Sequence, residues 1–213
     1  MTPFPPEAPR DCPLCPRLVD YRHENARRNP DWWNGAAPSF GDPQARLLVA
    51  GLAPGRTGAN RTGRPFTGDH AGWLLYETLH RTGFARGGYD PDGKDALELV
   101  DCMITNAVRC APPGNKPLPV EEATCRPFLQ ARLAALPRLK VIVTLGDVSR
   151  RNVLKALGRP ASAMAAGHGS EGEAGGYVLL NSYHCSRLNT NTGRLTAEMF
   201  EAVFRRARAL IEA

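Results

Sequence analysis

Three short segments and a set of cysteines carry the residue types that do chemistry in this chain. The longest is Gly51-Leu-Ala-Pro-Gly-Arg-Thr-Gly-Ala-Asn-Arg-Thr-Gly-Arg-Pro-Phe-Thr-Gly-Asp69. Its glycines let backbone approach a ligand closely. Arg56, Arg61 and Arg64 are interleaved with Phe66, a cationic and aromatic cradle suited to a flat base on a phosphate backbone. It has no Gly-Lys-Ser/Thr ending, so it is not a Walker loop, and it matches a dinucleotide fingerprint poorly. Asp69, at its end, suits either a helix N-cap or an acid–base role. The second segment is Thr105-Asn-Ala-Val-Arg-Cys110, and the third is Ser182-Tyr-His-Cys-Ser-Arg-Leu-Asn-Thr-Asn-Thr-Gly193. The Asn106 amide offers a donor beside an acceptor. That pair matches the O4 and N3–H edge of uracil and mismatches cytosine. His184 opens a polar loop with Arg187, and it is either a satisfied core histidine or a site residue.

The cysteines divide by spacing. Cys12-Pro-Leu-Cys15 is a CxxC, and Cys110 and Cys125 follow far downstream. Four thiolates suit an iron–sulfur cluster, which tolerates varied spacing, while a zinc ribbon would prefer two CxxC knuckles and comes second. Cys102 lies in an apolar run and reads as a small buried hydrophobe. Cys185 reads as surface or pocket lining.

Positioning these residues requires elements at fixed places. Four short, nearly continuous apolar runs stand out: Arg46–Gly51, Cys102–Val108, Lys140–Gly146 and Gly176–Tyr183. Such runs are the signature of parallel strands covered on both faces. Helical patterns lie between and around them at Arg17–Arg28, Trp73–Thr82, Pro119–Leu136, Asp147–Leu157 and Thr196–Ile211. The alternation predicts a three-layer α/β/α sandwich around a central four-stranded parallel sheet. Ligands bind such sheets beyond the carboxyl ends of the strands. The Gly51 loop, Asn106, Gly146 and His184 all fall there, so they should converge on one edge.

The whole chain bounds these readings. At 213 residues it suits one domain, 1–213, with residues 1–45 an irregular wrap that carries two of the cysteines. No run is long and apolar enough to span a membrane, and the amino end lacks a secretory pattern. We therefore expect a cytoplasmic protein, where disulfides are rare and clustered cysteines bind metal or do redox chemistry. The net charge is +6, and of the 27 basic residues only Lys94, Lys116, Lys140 and Lys155 are lysines. Arginine forks onto phosphates and stacks on bases, so this balance fits nucleic acid as well as a plain compositional bias.

Taken together, GLAPGRTGANRTGRPFTGD, ITNAVRC and YHCSRLNTNTGRLT resemble the iron–sulfur uracil-DNA glycosylases, and most closely the B-type, or family 5, branch. The resemblance runs from Cys12 to the last helix. It implies a base-excision repair enzyme acting on DNA that holds uracil or other deaminated bases, hypoxanthine among them, and working as a monomer. It implies a [4Fe-4S] cluster on Cys12, Cys15, Cys110 and Cys125. It makes Phe66 the residue that stacks on a flipped base, Asn106 the reader of the uracil edge and His184 the group facing uracil O2. Asp69 matches the acidic residue of this branch. Gly51, Ala53 and Gly55 become pocket backbone. Arg56, Arg61, Arg64, Ser186, Arg187, Leu188 and Asn189 become the DNA-facing set, with Arg187 and Leu188 as wedge candidates. There are departures from the wider pattern. Leu52 and Ala53 replace the polar or acidic group that other branches use on water. Gly55 stands where strict uracil enzymes have a bulky tyrosine, which implies a roomier pocket. Cys185 stands where proline is usual, which bears on the rigidity of the His184 turn.

Overall fold

A computed structural model describes residues 4–213; the first three residues of the expected wrap and domain lie outside the described residues. The chain opens with irregular backbone and α1 (Pro16–Arg28), then β1 (Phe40–Gly41), β2 (Leu47–Gly51), the one-turn α2 (Ala59–Thr62) and α3 (His70–Arg81). A small hairpin of β3 (Ala85–Arg86) and β4 (Glu98–Leu99) leads to β5 (Cys102–Asn106), α4 (Pro119–Ala134), β6 (Val141–Leu145) and α5 (Asp147–Ala156). β7 (Ser170–Ala174), β8 (Tyr177–Ser182), the short α6 (Arg187–Asn191) and α7 (Ala197–Glu212) complete it.

The main sheet runs β1-β5-β2-β6-β8-β7. Its four central strands are mutually parallel, as expected, and correspond to the four apolar runs. Two antiparallel edges are added. β1 is only two residues long, and β7 pairs with β8 through the polar run Ser-Glu-Gly-Glu-Ala. Edge strands need only one covered face, so they lack the continuous apolar signature of the centre.

Alternation along the strands builds two cores. Leu47, Val49, Ile104, Val141, Val143 and Leu180 face α3 and α7, whose Leu75, Leu79, Phe200 and Phe204 are fully buried. Leu48, Ala50, Met103, Ile142 and Leu179 face the opposite layer, with Leu129 and Leu133 of α4 and Val153 and Leu154 of α5. Each such side chain contributes about 1.5–3 kcal/mol by leaving water. Helix starts follow their caps. Asp69 accepts from Gly72 N at 3.2 Å, which starts α3 three residues ahead of the expected Trp73. Thr196 caps α7 by accepting from Met199 N.

The amino-terminal wrap is tied down by charge. The Glu7 carboxylate bridges Arg109 and Arg132, and Arg109 is itself fully buried. Backbone bonds continue the attachment, Ala37 N donating to Arg109 O at 2.7 Å and Ala36 N to Arg10 O at 2.9 Å. Among the described residues no helix is long and apolar enough to cross a membrane.

Candidate active site

The parallel register places Gly51 opposite Asn106, so two of the functional segments leave the sheet side by side. Ala107 N and Val108 N continue the ladder to Gly51 O and Leu52 O at 3.0 and 2.8 Å. Across β6, Gly146 N donates to Ser182 O at 2.8 Å, which sets the level at which Tyr183 and His184 depart. A cavity of about 520 Å³ opens above these strand ends. Ala53, Gly55, Arg56, Phe66, Asp69, Asn106, His184, Ser186 and Arg187 all line it. The edge expected from strand order alone is therefore where they meet.

Phe66 is buried with a positive φ of 54°, a conformation that costs a bulky side chain energy. Its ring reaches over Gly51, where an added Cβ would come within 2.8 Å of it. Gly51 itself lies behind the cavity wall and serves as the gap that admits Phe66 and Asn106. The Phe66 and His184 rings lie 5.9 Å apart between centroids with planes 30° apart. Two stacking distances total about 7 Å, so a base would lie on Phe66 with His184 at its edge rather than between the two rings.

The polar groups are poised and underused. Asn106 is 3% exposed, yet its side-chain amide makes no hydrogen bond with any described residue. The His184 ring nitrogens likewise have no hydrogen-bond partner among the described residues. Burial lowers the His184 pKa, against the pull of the Asp69 charge, which keeps the imidazole neutral near pH 7. Burial raises the Asp69 carboxyl, against the backbone N–H of Gly72 and the nearby His184. With Oδ1 bound to Gly72, Oδ2 points toward Gly55 and Gly58, where added Cβ atoms would stand 3.1 and 2.5 Å from it. Asp69 is thus both the helix cap and a cavity carboxylate.

The loop after His184 is braced rather than loose. Ser186 caps α6, Asn189 donates to His184 O at 2.8 Å, and His70 bonds Thr190 at 3.0 Å. Leu188 is 72% exposed at the tip of this braced helix, with Arg187 beside it at the cavity mouth. Asn189, expected to face DNA, turns instead to hold the His184 turn. Cys185 is fully buried in the α3–α7 core, which corrects its reading as surface or pocket lining. Cys102 is buried as expected.

Two of the expected DNA-facing arginines are also corrected. Arg64 forks onto Asp95 at 2.7 Å through both terminal nitrogens, in a pair that is 12% and 7% exposed. Arg61 binds Asp92 at 2.5 Å and the carbonyls of Thr57 and Pro91. Both brace the Gly51–Asp69 loop against the segment 90–95. Arg56 stays at the mouth, 5.6 Å above the Trp32 ring. His70 and Asn115 also line the cavity. Asn115 lies in a Pro-Gly-Asn turn with φ 57°, so its sequence reads only as a turn.

The four expected cluster cysteines come together away from this cavity, around a gap of about 10 Å³ lined also by Leu18, Val108 and Phe128. Arg109 N donates to Cys125 Sγ at 3.3 Å, and Arg22 Nη1 lies 4.0 Å from Cys110 Sγ. Burial pushes Cys110 up to about 12 and Cys125 to about 11. Among the described residues no group of three or more His, Cys, Asp or Glu stands arranged to hold a metal ion. What the structure supplies is the donor set, an apolar lining and N–H groups directed at sulfur.

Comparison with known proteins matches residues 38–208 to the uracil DNA glycosylase superfamily. The chain belongs to that superfamily. A type-5 uracil-DNA glycosylase of Thermus thermophilus is 46% identical over 205 residues, 93% of each chain. One of Pyrobaculum aerophilum is 43% identical over 203 residues, 93% of this chain and 88% of the relative. A type-4 uracil-DNA glycosylase of the same archaeon is 32% identical over 156 residues, 73% of this chain and 65% of its own. Within this glycosylase superfamily member, the matched span contains the whole cavity together with Cys110 and Cys125, while Cys12 and Cys15 precede it.

Proposed function

We propose that this chain excises uracil from DNA by hydrolysing its N-glycosidic bond, the opening step of base-excision repair. The observation that carries the reading is the pair of unpartnered polar groups, the Asn106 amide and the His184 imidazole, lining one cavity beside Phe66. A buried polar group without a partner is costly unless a ligand completes it. Relatives named type-5 uracil-DNA glycosylases over most of the chain support the same substrate.

The target bond lies inside the base stack, so the nucleotide must be extruded. Leu188 fills the space it leaves, with Arg187 and Arg56 beside the backbone. Phe66 supports the extruded base by stacking, worth about 1–3 kcal/mol. Asn106 donates to O4 and accepts from N3–H. As the C1′–N1 bond breaks, its electron pair passes to the base and charge collects on O2, where neutral His184 donates a hydrogen bond. Asp69 Oδ2 faces the cationic sugar and takes a proton from the water whose oxygen bonds to C1′. The departing uracil anion takes its proton from solvent. Gly55 leaves space beside Asp69, which supports a second substrate class of deaminated bases such as hypoxanthine.

Cys12, Cys15, Cys110 and Cys125 would hold a [4Fe-4S] cluster, whose chemistry there is that of a covalent staple between the wrap, α1 and α4. What supports the reading is the donor chemistry: all four thiols line one apolar gap, with the Arg109 N–H and the Arg22 guanidinium turned to sulfur. All six cysteines are unpaired, which supports action in the cytoplasm.

The deciding experiment incubates the purified chain with a duplex containing one uracil and assays alkali-labile strand breaks. Cleavage at the uracil position is expected. Binding without base release would leave only a nucleic-acid-binding module.

A further inference from the structure

His168 stands behind the turn that carries His184 and takes no part in the cavity. It lies between α5 and β7, in a segment bound to β8 by Gly169 N donating to Asn181 O at 2.8 Å and Asn181 Nδ2 donating to Gly167 O at 2.8 Å. From there its Nδ1 reaches the backbone N–H of Tyr183 at 3.3 Å. Ser182 Oγ is equally close to Nδ1, but its proton goes to Tyr183 O at 2.9 Å, which leaves Nδ1 to accept from Tyr183. On its other side the ring shares a small hollow with Met199 at the start of α7. The ring also packs on the Tyr183 side chain, 5.4 Å between centroids, and the Arg194 guanidinium sits 4.4 Å over that tyrosine. The charged neighbours on β7 and α7, Glu171 and Arg206, pair with each other at 2.8 Å and leave the imidazole alone.

Tyr183 is the last residue before His184, so the direction of its N–H fixes where the chain turns. Cys185 imposes no ring constraint of the kind proline would supply. We propose that His168 is a positioning residue for His184: by accepting the Tyr183 N–H while packed on the Tyr183 ring, it locks the turn that aims the His184 ring into the cavity. The argument rests on the reading of His184 as the group facing the base. Misplacing a catalytic group by about 1 Å can cost on the order of a hundredfold in rate.

The test is a double-mutant cycle on uracil duplex under single-turnover conditions, with binding to undamaged duplex measured alongside. We expect His168→Ala to slow excision about tenfold with binding within about twofold of wild type. His168→Asn, whose side-chain oxygen can accept in place of Nδ1, should recover to within about threefold of wild type. In a His184→Ala background, His168→Ala should add nothing further. A wild-type rate in His168→Ala, a tenfold loss that persists without His184, or an Asn variant as slow as the Ala variant would each overturn the proposal. If the wild-type chain releases no uracil, the functional reading fails by itself. Hydrogen exchange over 182–185 then decides: faster exchange in the Ala than in the Asn variant supports the lock, and equal exchange overturns it.

Discussion

Asn106 Oδ1 fills the space that a Cβ on Gly51 would occupy, the two residues being register partners on adjacent parallel strands. The Asn106 amide, proposed to read uracil, therefore owes its position to a missing methyl group on the neighbouring strand. Gly51→Ala should displace both Asn106 and Phe66 and reduce excision on the order of a hundredfold. Asn106→Asp removes the donor to O4 while keeping shape. It should lower uracil excision by about a hundredfold and narrow the preference for uracil over cytosine. Paired oligonucleotides with uracil or cytosine at one position measure both effects, and unchanged selectivity would end the reading of Asn106.

Asp69 combines a cap and a cavity carboxylate, and the two roles separate by mutation. Its pKa is raised in the fold, so its charged form is disfavoured there. At neutral pH that charge costs stability; the cost begins to shrink as pH falls through the raised value and is gone below the unfolded value of 3.8. Asp69→Asn keeps an oxygen for Gly72 N and removes the charge. Excision should drop about a hundredfold or more while the melting temperature at pH 7 holds or rises by about 1–3 °C. Gly58→Ala, which crowds Oδ2 more closely than Gly55→Ala, should be the more damaging of the two to excision. Calorimetry with single-turnover kinetics reads all three variants.

The Arg64–Asp95 fork stabilises the Gly51–Asp69 loop in a pH-dependent way. The guanidinium holds the Asp95 carboxyl down to about 2, against an unfolded value of 3.8. That stability is fully present above pH 3.8 and is lost as pH falls through about 2. Asp95→Asn should cost about 2 kcal/mol at neutral pH. Denaturant titrations at several pH values should show the gap between variant and wild type closing only in strong acid.

Leu188 is an exposed apolar residue on a braced helix, a placement that stabilises nothing in the free protein. Leu188→Ala should change folding stability by less than about 0.5 kcal/mol. It should slow uracil removal from duplex DNA by about tenfold and from single-stranded DNA far less, since no stack has to be opened there. Equal slowing on both substrates would remove it from the wedge role.

The four-cysteine gap makes a visible prediction. Anaerobically purified protein should be brown, with broad absorbance at about 400 nm and iron and sulfide in equal amounts. Cys110→Ser should bleach that colour and lower the melting temperature. Colourless protein with stoichiometric zinc would reject the cluster.

The central sheet and its helices were legible because burial on both faces leaves a continuous apolar record, as in Val141–Leu145. β7 was not, because an edge strand with alternate exposed glutamates resembles a loop. The cavity edge was legible from strand order, which alone puts Asn106 and His184 at carboxyl ends. Contacts made across long separations left no local trace. Nothing near Arg64 announces Asp95, nothing near Tyr183 announces His168, and a CxxC says nothing of which other thiols it will meet.

The bracing of Arg61 and Arg64 changes how the protein senses DNA from a distance. Each cation that replaces a counterion on a phosphate steepens the fall of log K with log salt by about 0.9. Cations already held by Asp92 and Asp95 have little to add. The 27 basic residues thus overstate the cations free to take phosphates, and the salt dependence of binding should be shallow for so arginine-rich a chain. Weak electrostatic capture favours frequent release and short residence at undamaged sequence, so discrimination falls to the fit of the extruded base.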